Sequence, residues 1–214
     1  MSLSSAYLNQ FRQPRGWFGR FNLWMMNRRH SNLTDWGLSH VTIAGDATIL
    51  DIGCGGGRTI QKLAALAPKG TVFGVDFSET SVAMSQQFNR TLVERGRVVV
   101  QQASVSRLPF DDQMFDLVTA IETHFYWPDL PKDVSEVRRV LQPGGTLVLI
   151  AEAYKGGKHA KAIQMFADAM APLGYAHLDV DEHRELLAQN GFANVEVVEE
   201  YNRGWICAMG RNPS

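Results

Sequence analysis

The apolar positions of this chain fall into short continuous runs separated by stretches with helical spacing. Ile49, Leu50 and Ile52, then Thr71 to Val75, Val98 to Val100, Phe115 to Ile121 and Thr146 to Ala151 read as strands packed on both faces. After the first run, Ile60, Leu63, Ala64 and Ala67 recur at helical intervals, and Pro68 and Gly70 stop that helix. After the second, Ser78 is a good N-cap for a helix carrying the ladder Met84, Phe88 and Leu92. Val134, Val137, Val140 and Leu141 form the stripe of another helix, which Pro143-Gly144-Gly145 is expected to end. Alternation of this kind predicts an α/β fold on a parallel sheet. The pattern then changes. Ile163, Phe166 and Met170 mark a helix closed by Pro172 and Gly174, and Asp179 with Glu182 signals a capped helix carrying Leu186 and Leu187 and ending at Asn190-Gly191. Val195, Val197 and Val198 and then Trp205 to Met209 are close enough to pair as an antiparallel hairpin.

The first strand runs into Asp51-Ile52-Gly53-Cys54-Gly55-Gly56-Gly57-Arg58. Glycines there permit positive φ and close approach of a ligand, and the helix that follows points free N–H groups and its positive end at the bound molecule. A nicotinamide site uses a similar turn. Here its third glycine position is Arg58, and a phosphate-loop Gly-Lys-Ser/Thr ending is absent. The Asp51 carboxylate would repel a pyrophosphate but could take the amino group of an amino-acid-bearing ligand. The second strand ends at Asp76, about 20 residues past the glycines, where adenosine-type ligands place a carboxylate on the ribose hydroxyls.

Leu108-Pro109-Phe110, Phe115-Asp116-Leu117-Val118 and Arg139-Val140-Leu141-Gln142-Pro143-Gly144-Gly145 follow in order. With the glycine turn, these motifs resemble the class I S-adenosylmethionine-dependent methyltransferases, in the small-molecule branch that includes the quinone-biosynthesis enzymes. The resemblance covers roughly residues 45 to 151 well and the remainder in outline. It implies a Rossmann-like doubly wound sheet of seven strands in order 3-2-1-4-5-7-6 with the last strand antiparallel. Capping helices over residues 1–45 would precede a methyltransferase domain over 46–214, with an inserted helix near 158–173 shaping the pocket.

The cofactor implied is S-adenosyl-L-methionine, leaving as S-adenosyl-L-homocysteine after in-line methyl transfer to a small molecule. The match assigns Asp51 to its amino end, Asp76 to its ribose, and Gly53, Gly55 and Gly57 to close backbone approach. Phe77 would lie on the adenine, and Ser104 stands in the loop where the family often uses an aspartate. Ligands of open parallel sheets sit at the carboxyl ends of the strands, so Glu122 to Pro128 should face the methyl group. Glu122 and His124 are the candidate bases, Glu122 also touching the cofactor. His30, Tyr126, Trp127 and Tyr154 are the candidate substrate pocket. Neither an Asn/Asp-Pro-Pro-Tyr signature nor a Pro-Cys nucleophile is present, which argues against nucleic-acid bases as substrates.

Composition adds bounds. At 214 residues and 45% hydrophobic the chain makes one domain, and a net charge of −1 gives no nucleic-acid footprint. Two cysteines, Cys54 and Cys207, are too few for a disulfide framework, and no spanning segment is visible, so a cytoplasmic protein is expected. Residues 1–45 combine Phe11, Trp17, Phe18, Phe21, Trp24 and Trp36 with five arginines. Phe18, Phe21, Trp24 and Met25 suggest one amphipathic helix, and Leu33, Trp36, Gly37 and His40 a second begun by Ser31 or Asn32. A lid over the site is the reading taken, with membrane-surface contact as its alternative. His177 and His183 among carboxylates resemble a metal site, but the capping-box reading is preferred and no metal is expected. The competing functions are a cofactor-binding regulatory protein without turnover and a nicotinamide-dependent oxidoreductase.

Overall fold

A computed structural model describes residues 16–158 and 160–213. Phe11, Arg12 and Arg15 lie outside the described residues, as do the side chains of Trp17, Phe18, Arg20 and Trp24. Strands β1 (Thr48–Ile52), β2 (Thr71–Asp76), β3 (Val98–Gln102), β4 (Phe115–Ile121), β5 (Leu141–Ala151), β6 (Ala193–Glu200) and β7 (Trp205–Arg211) form one sheet in the order β3-β2-β1-β4-β5-β7-β6. The first five pair in parallel, and β7 runs antiparallel to both β5 and β6, as the resemblance implies. Ile49, Leu50, Val118 and Leu149 are almost wholly buried because helices cover both faces of the sheet. On one face Phe73, Phe110 and Phe115 meet edge to face at 4.9–5.6 Å between ring centres.

Helices α1 (Gly16–Arg29) and α2 (Ser31–Leu38) precede β1; α3 (Arg58–Leu66), α4 (Glu79–Phe88), α5 (Arg90–Glu94) and α6 (Leu130–Val140) connect the parallel strands; α7 (Ala160–Met170) and α8 (Val180–Gln189) precede the hairpin. The Ser78 hydroxyl caps α4 by accepting the Ser81 N–H at 3.3 Å. Its buried face is not the expected ladder: Ser81, Val82, Ser85 and Asn89 are inside, and Phe88 is exposed. The cause lies in the glycine turn. Asn89 Nδ2 donates to the Gly57 carbonyl at 2.9 Å, and Ser85 sits so close to Gly57 that only small polar groups fit on that face. The helix α6 stripe is buried as expected, but the helix ends at Val140, before Pro143-Gly144-Gly145. Leu141 is already extended and opens β5, because Gly144 and Gly145 exchange backbone hydrogen bonds with Asn212 beyond β7. The capping box of α8 is formed in full by Asp179 and Glu182.

Helix α2 has no side-chain cap: its N-cap position is His30, one residue ahead of Ser31, and that side chain turns elsewhere. Lys62 of α3 ties α2 down by donating to the Ser31 carbonyl at 2.9 Å and pairing with Asp35. Helix α1 also differs from expectation. Phe21 and Met25 are about half exposed, whereas Leu23 is buried and Met26 and His30 follow on the same inward side. The reason is the partner surface: Leu23 packs over Gly55 of the turn.

What lets α2 lie flat on the sheet is Gly37, whose Cα faces Ile150 of β5 with no room for a methyl group: an added Cβ would stand 2.3 Å from Ile150 Cδ1. Gly37→Ala is therefore expected to destabilise the protein, overpacking of about 1–3 kcal/mol outweighing the gain of about 1 kcal/mol in helix propensity. A urea midpoint at or above that of the parent chain would contradict this packing.

Candidate active site

A cleft of about 210 Å³ opens at the carboxyl ends of β1, β2 and β4. Its floor is the glycine turn, its walls are Asp76, Phe77 and Ala103 to Val105 on one side and Ile121 to Thr123 with Tyr126 to Pro128 on the other, and its roof is Leu23, Met26, His30 and Thr34. The turn is a chain of left-handed residues: φ is +74° at Gly53, +51° at Gly55 and +83° at Gly57. The Gly53 and Cys54 N–H groups both donate to the Val75 carbonyl, at 2.8 and 3.1 Å. A side chain at Gly53 would collide with Thr123 and one at Gly57 with Ser85 and Asn89.

Asp76 belongs to this turn as much as to β2. One carboxylate oxygen accepts the Gly55 N–H at 2.9 Å and the other the Ser78 N–H at 2.8 Å. Phe77, 58% exposed, lies open at the cleft wall, fixed at its carbonyl by Gln102. Ser104 also lines the wall, its hydroxyl accepting the Ser106 N–H at 3.2 Å. Asp51 does not line the cleft. It is buried beneath the turn, accepts the Thr119 hydroxyl at 2.7 Å, and burial pushes its carboxyl up to about 7, Thr119 partly opposing. Gly57 is likewise behind the cleft wall, as the N-cap of α3.

At the other end stands Glu122, a non-glycine residue at φ +60°. Its N–H donates to the Ile150 carbonyl at 2.9 Å, and its Oε1 accepts the Glu152 N–H. His30 Nε2 lies 3.9 Å from Glu122 Oε2 and 3.5 Å from Glu152 Oε1, and Arg29 pairs with Glu152. Burial raises Glu122 to about 7, against the lowering influence of the His30 charge. Burial opposes protonation of His30, but the hydrogen bond to Glu152 and the two carboxylate charges prevail and raise it. His30, Glu122 and Glu152 place one ligand atom each within 4.8 Å of one another. Arg29 and His30 sit on the carboxylates and make the group an ion-pair cluster. Tyr126 and Trp127 line the same end.

Two expected residues are elsewhere. Tyr154 is 1% exposed and packs with Phe125 and Ile206 away from the cleft. His124 is 2% exposed, its Nε2 3.2 Å from Nε2 of His183, while His183 Nδ1 lies 2.6 Å from the Asp179 carbonyl. The carbonyl can only accept, so His183 carries its proton on Nδ1, and His124 must donate from Nε2. Facing inward keeps the His124 side chain out of the cleft lining. Arg58, Thr59, Thr123, Leu23 and Met26 line the cleft without having been anticipated. Arg58 alone had a legible signal, as the residue opening the helix after the glycines.

Residues 50–149 match the family model described as a methyltransferase domain. Over that stretch the chain is similar to methyltransferases, and its fold is that of solved methyltransferase structures. Among curated relatives, it is 34% identical over 114 residues to a demethylmenaquinone methyltransferase of Lactiplantibacillus plantarum, 53% of this chain and 48% of that protein. The chain spans about half the length of the first curated relatives it matches. Its fold superposes on a putative methyltransferase of Haloferax volcanii solved with the Trm112 methyltransferase activator, at a TM-score of 0.79 and 19% identity over 100% of this chain and 99% of that one. It also superposes on a Haemonchus contortus phosphoethanolamine N-methyltransferase 2 solved with S-adenosyl-L-methionine, at 0.80 and 15% identity over 100% of this chain and 61% of that one.

The His124–His183 pair has a consequence for stability. Burial holds both rings neutral, with proton affinities below that of an ordinary histidine. The unfolded chain protonates them as pH falls through about 6.5, while the folded chain does not until lower, so the pair costs nothing above that pH and progressively more below it. Asp51 and Glu122, raised to about 7, act in the opposite sense: their contribution is complete below ordinary carboxylate values and lost as pH rises toward 7. Comparing parent and His124→Leu/His183→Leu at each pH isolates the histidines. Between about pH 7.5 and about pH 5.5 the urea midpoint should move in favour of the double variant. A pH-independent difference would contradict a neutral pair.

Proposed function

We propose that this chain transfers a methyl group from S-adenosyl-L-methionine to a small-molecule acceptor, releasing S-adenosyl-L-homocysteine. The observation that carries the reading is the coupling of Asp76 to the glycine turn. One carboxylate holds the Gly55 N–H and still borders the cleft, where its remaining lone pairs can take two ribose hydroxyls. Gly53, Gly55 and Gly56 line the cleft, so the backbone of the turn is accessible to a ligand there. Phe77 offers a face for adenine, and Ala103 and Ser104 offer backbone and hydroxyl groups for its edge. Arg58 supplies a cation beside the turn for the methionyl carboxylate. The motif match assigns Asp51 to the amino end of the cofactor, which it would influence from beneath the turn, and Gly57 opens α3 as its N-cap.

When bound, the cofactor supplies an activated sulfonium methyl group, so the protein's task is placement. The other half of the cleft, with His30, Glu122, Tyr126 and Trp127, is where the acceptor lies, and Glu122 is the residue in reach of its proton. Residues 1–45 serve as a cap: Leu23, Met26, His30 and Thr34 roof the cleft and exclude water. The helix Ala160–Met170 is the inserted element of the domain spanning 46–214. Cys54 and Cys207, both free and buried, fit a cytoplasmic protein, and no helix among the described residues is long and apolar enough to cross a membrane.

In calorimetric titrations S-adenosyl-L-methionine and S-adenosyl-L-homocysteine should bind and NAD should not. Asp76→Ala should weaken both by about 1–3 kcal/mol, through loss of charge-assisted hydrogen bonds to the ribose and loss of the Gly55 anchor. Equal affinities in parent and variant would remove Asp76 from the site.

A further inference from the structure

The acceptor end of the cleft carries more charge than cofactor binding requires, and the charges are arranged. Glu122 holds a left-handed backbone at φ +60°, a conformation that persists in a non-glycine residue only when its surroundings impose it. Two hydrogen bonds impose it: its N–H to Ile150, and its Oε1 from the Glu152 N–H. The second oxygen, Oε2, is left on the side of His30, whose Nε2 stands between Glu122 and Glu152 at 3.9 and 3.5 Å. His30 belongs to the cap, at the junction of α1 and α2, and the two glutamates follow the ends of neighbouring strands β4 and β5. The group is complete only with the cap seated.

Resting on the methyl-transfer reading above, we propose that Glu122 is the base that takes the proton of a neutral phenol-type hydroxyl acceptor, and that His30, anchored by Glu152, is the positioning residue that holds it for that step. Glu122 Oε2 faces this end of the cleft as an acceptor and invites a hydrogen-bond donor, while His30 and Arg29 compensate the charge of the two carboxylates. Tyr126 and Trp127 give a flat aromatic molecule its walls. In the step, the hydroxyl proton passes to Glu122 Oε2 and an oxygen lone pair forms the new O–C bond. The C–S bond breaks with its electron pair going to sulfur, and the proton leaves Glu122 to solvent once the products depart. Burial keeps Glu122 near 7, a proton affinity suited to a base at neutral pH. The titratable and charged groups around it are His30 and Arg29 from the cap, Glu152 after β5, Tyr126 after β4 and Tyr175 after the inserted helix.

The test uses the full chain with S-adenosyl-L-methionine and a panel of hydroxylated benzenes, naphthalenes and coumarins, each paired with its thiol analogue, which ionises without a base. Glu122→Gln should lower phenol methylation by about 10²–10⁴-fold and raise the thiol-to-phenol rate ratio by a similar factor, with affinity for S-adenosyl-L-homocysteine retained as the check on folding. The parent rate should rise with pH through about 7, where Glu122 loses its proton. In His30→Gln that limb should move to higher pH, because a positive charge favouring the carboxylate is gone. A His30→Gln profile that is lower but unshifted would mean a structural role only and overturn the positioning assignment. Methylation of thiols alone, or an unchanged ratio in Glu122→Gln, would overturn the base while leaving methyl transfer intact. Failure to bind S-adenosyl-L-homocysteine would instead overturn the underlying reading.

Discussion

The backbone between Gly53 and Gly57 turns left-handed at Gly53, Gly55 and Gly57, and the rest of the site is built around those three glycines. Thr123 fills the space above Gly53, and Ser85 and Asn89 fill it behind Gly57. Asp76 reaches back from the next strand to hold Gly55, and the Val75 carbonyl takes two more N–H groups of the turn. Four elements thus meet at five residues.

The same turn organises helices α1 and α2. Leu23 rests over Gly55, which brings Met26 and His30 around to the cleft and leaves Phe21 and Met25 outside. Gly37 allows α2 to sit directly on Ile150, the strand residue whose carbonyl also fixes Glu122. The position of α1 and α2 and the orientation of the acidic group are therefore set by one stretch of β5. Charge divides along the cleft: its Asp76 end presents one hydrogen-bonding carboxylate and an arginine, whereas Glu122 at the other end adjoins Glu152, and Arg29 and His30 compensate the pair.

Much of this was legible in the sequence. Buried runs and interposed helical spacings gave the strands in order, and the terminal hairpin was visible from its short connection. Asp76 and the glycines were singled out by their spacing together with the motif match. What escaped were choices made by packing. The inward face of α4 is Ser85 and Asn89 instead of Met84 and Phe88, because a helix lying on a glycine turn needs small polar residues. His124 looks as available as Glu122 in the sequence, yet the short 3₁₀ turn His124–Tyr126 sends it inward to His183. Glu152 and His30 lie 122 residues apart in the chain, and only the seated cap brings them together.

The central claim is that one cleft holds cofactor and acceptor on opposite sides of the glycine turn, with Asp76 at one end and Glu122 at the other. The most direct measurement is a crystal structure of the chain with S-adenosyl-L-homocysteine bound. The account predicts ribose hydroxyls on the Asp76 carboxylate, adenine against Phe77, and the sulfur directed toward Glu122 and Tyr126. A ligand bound elsewhere, or one reversed so that its sulfur faces Phe77, would contradict it.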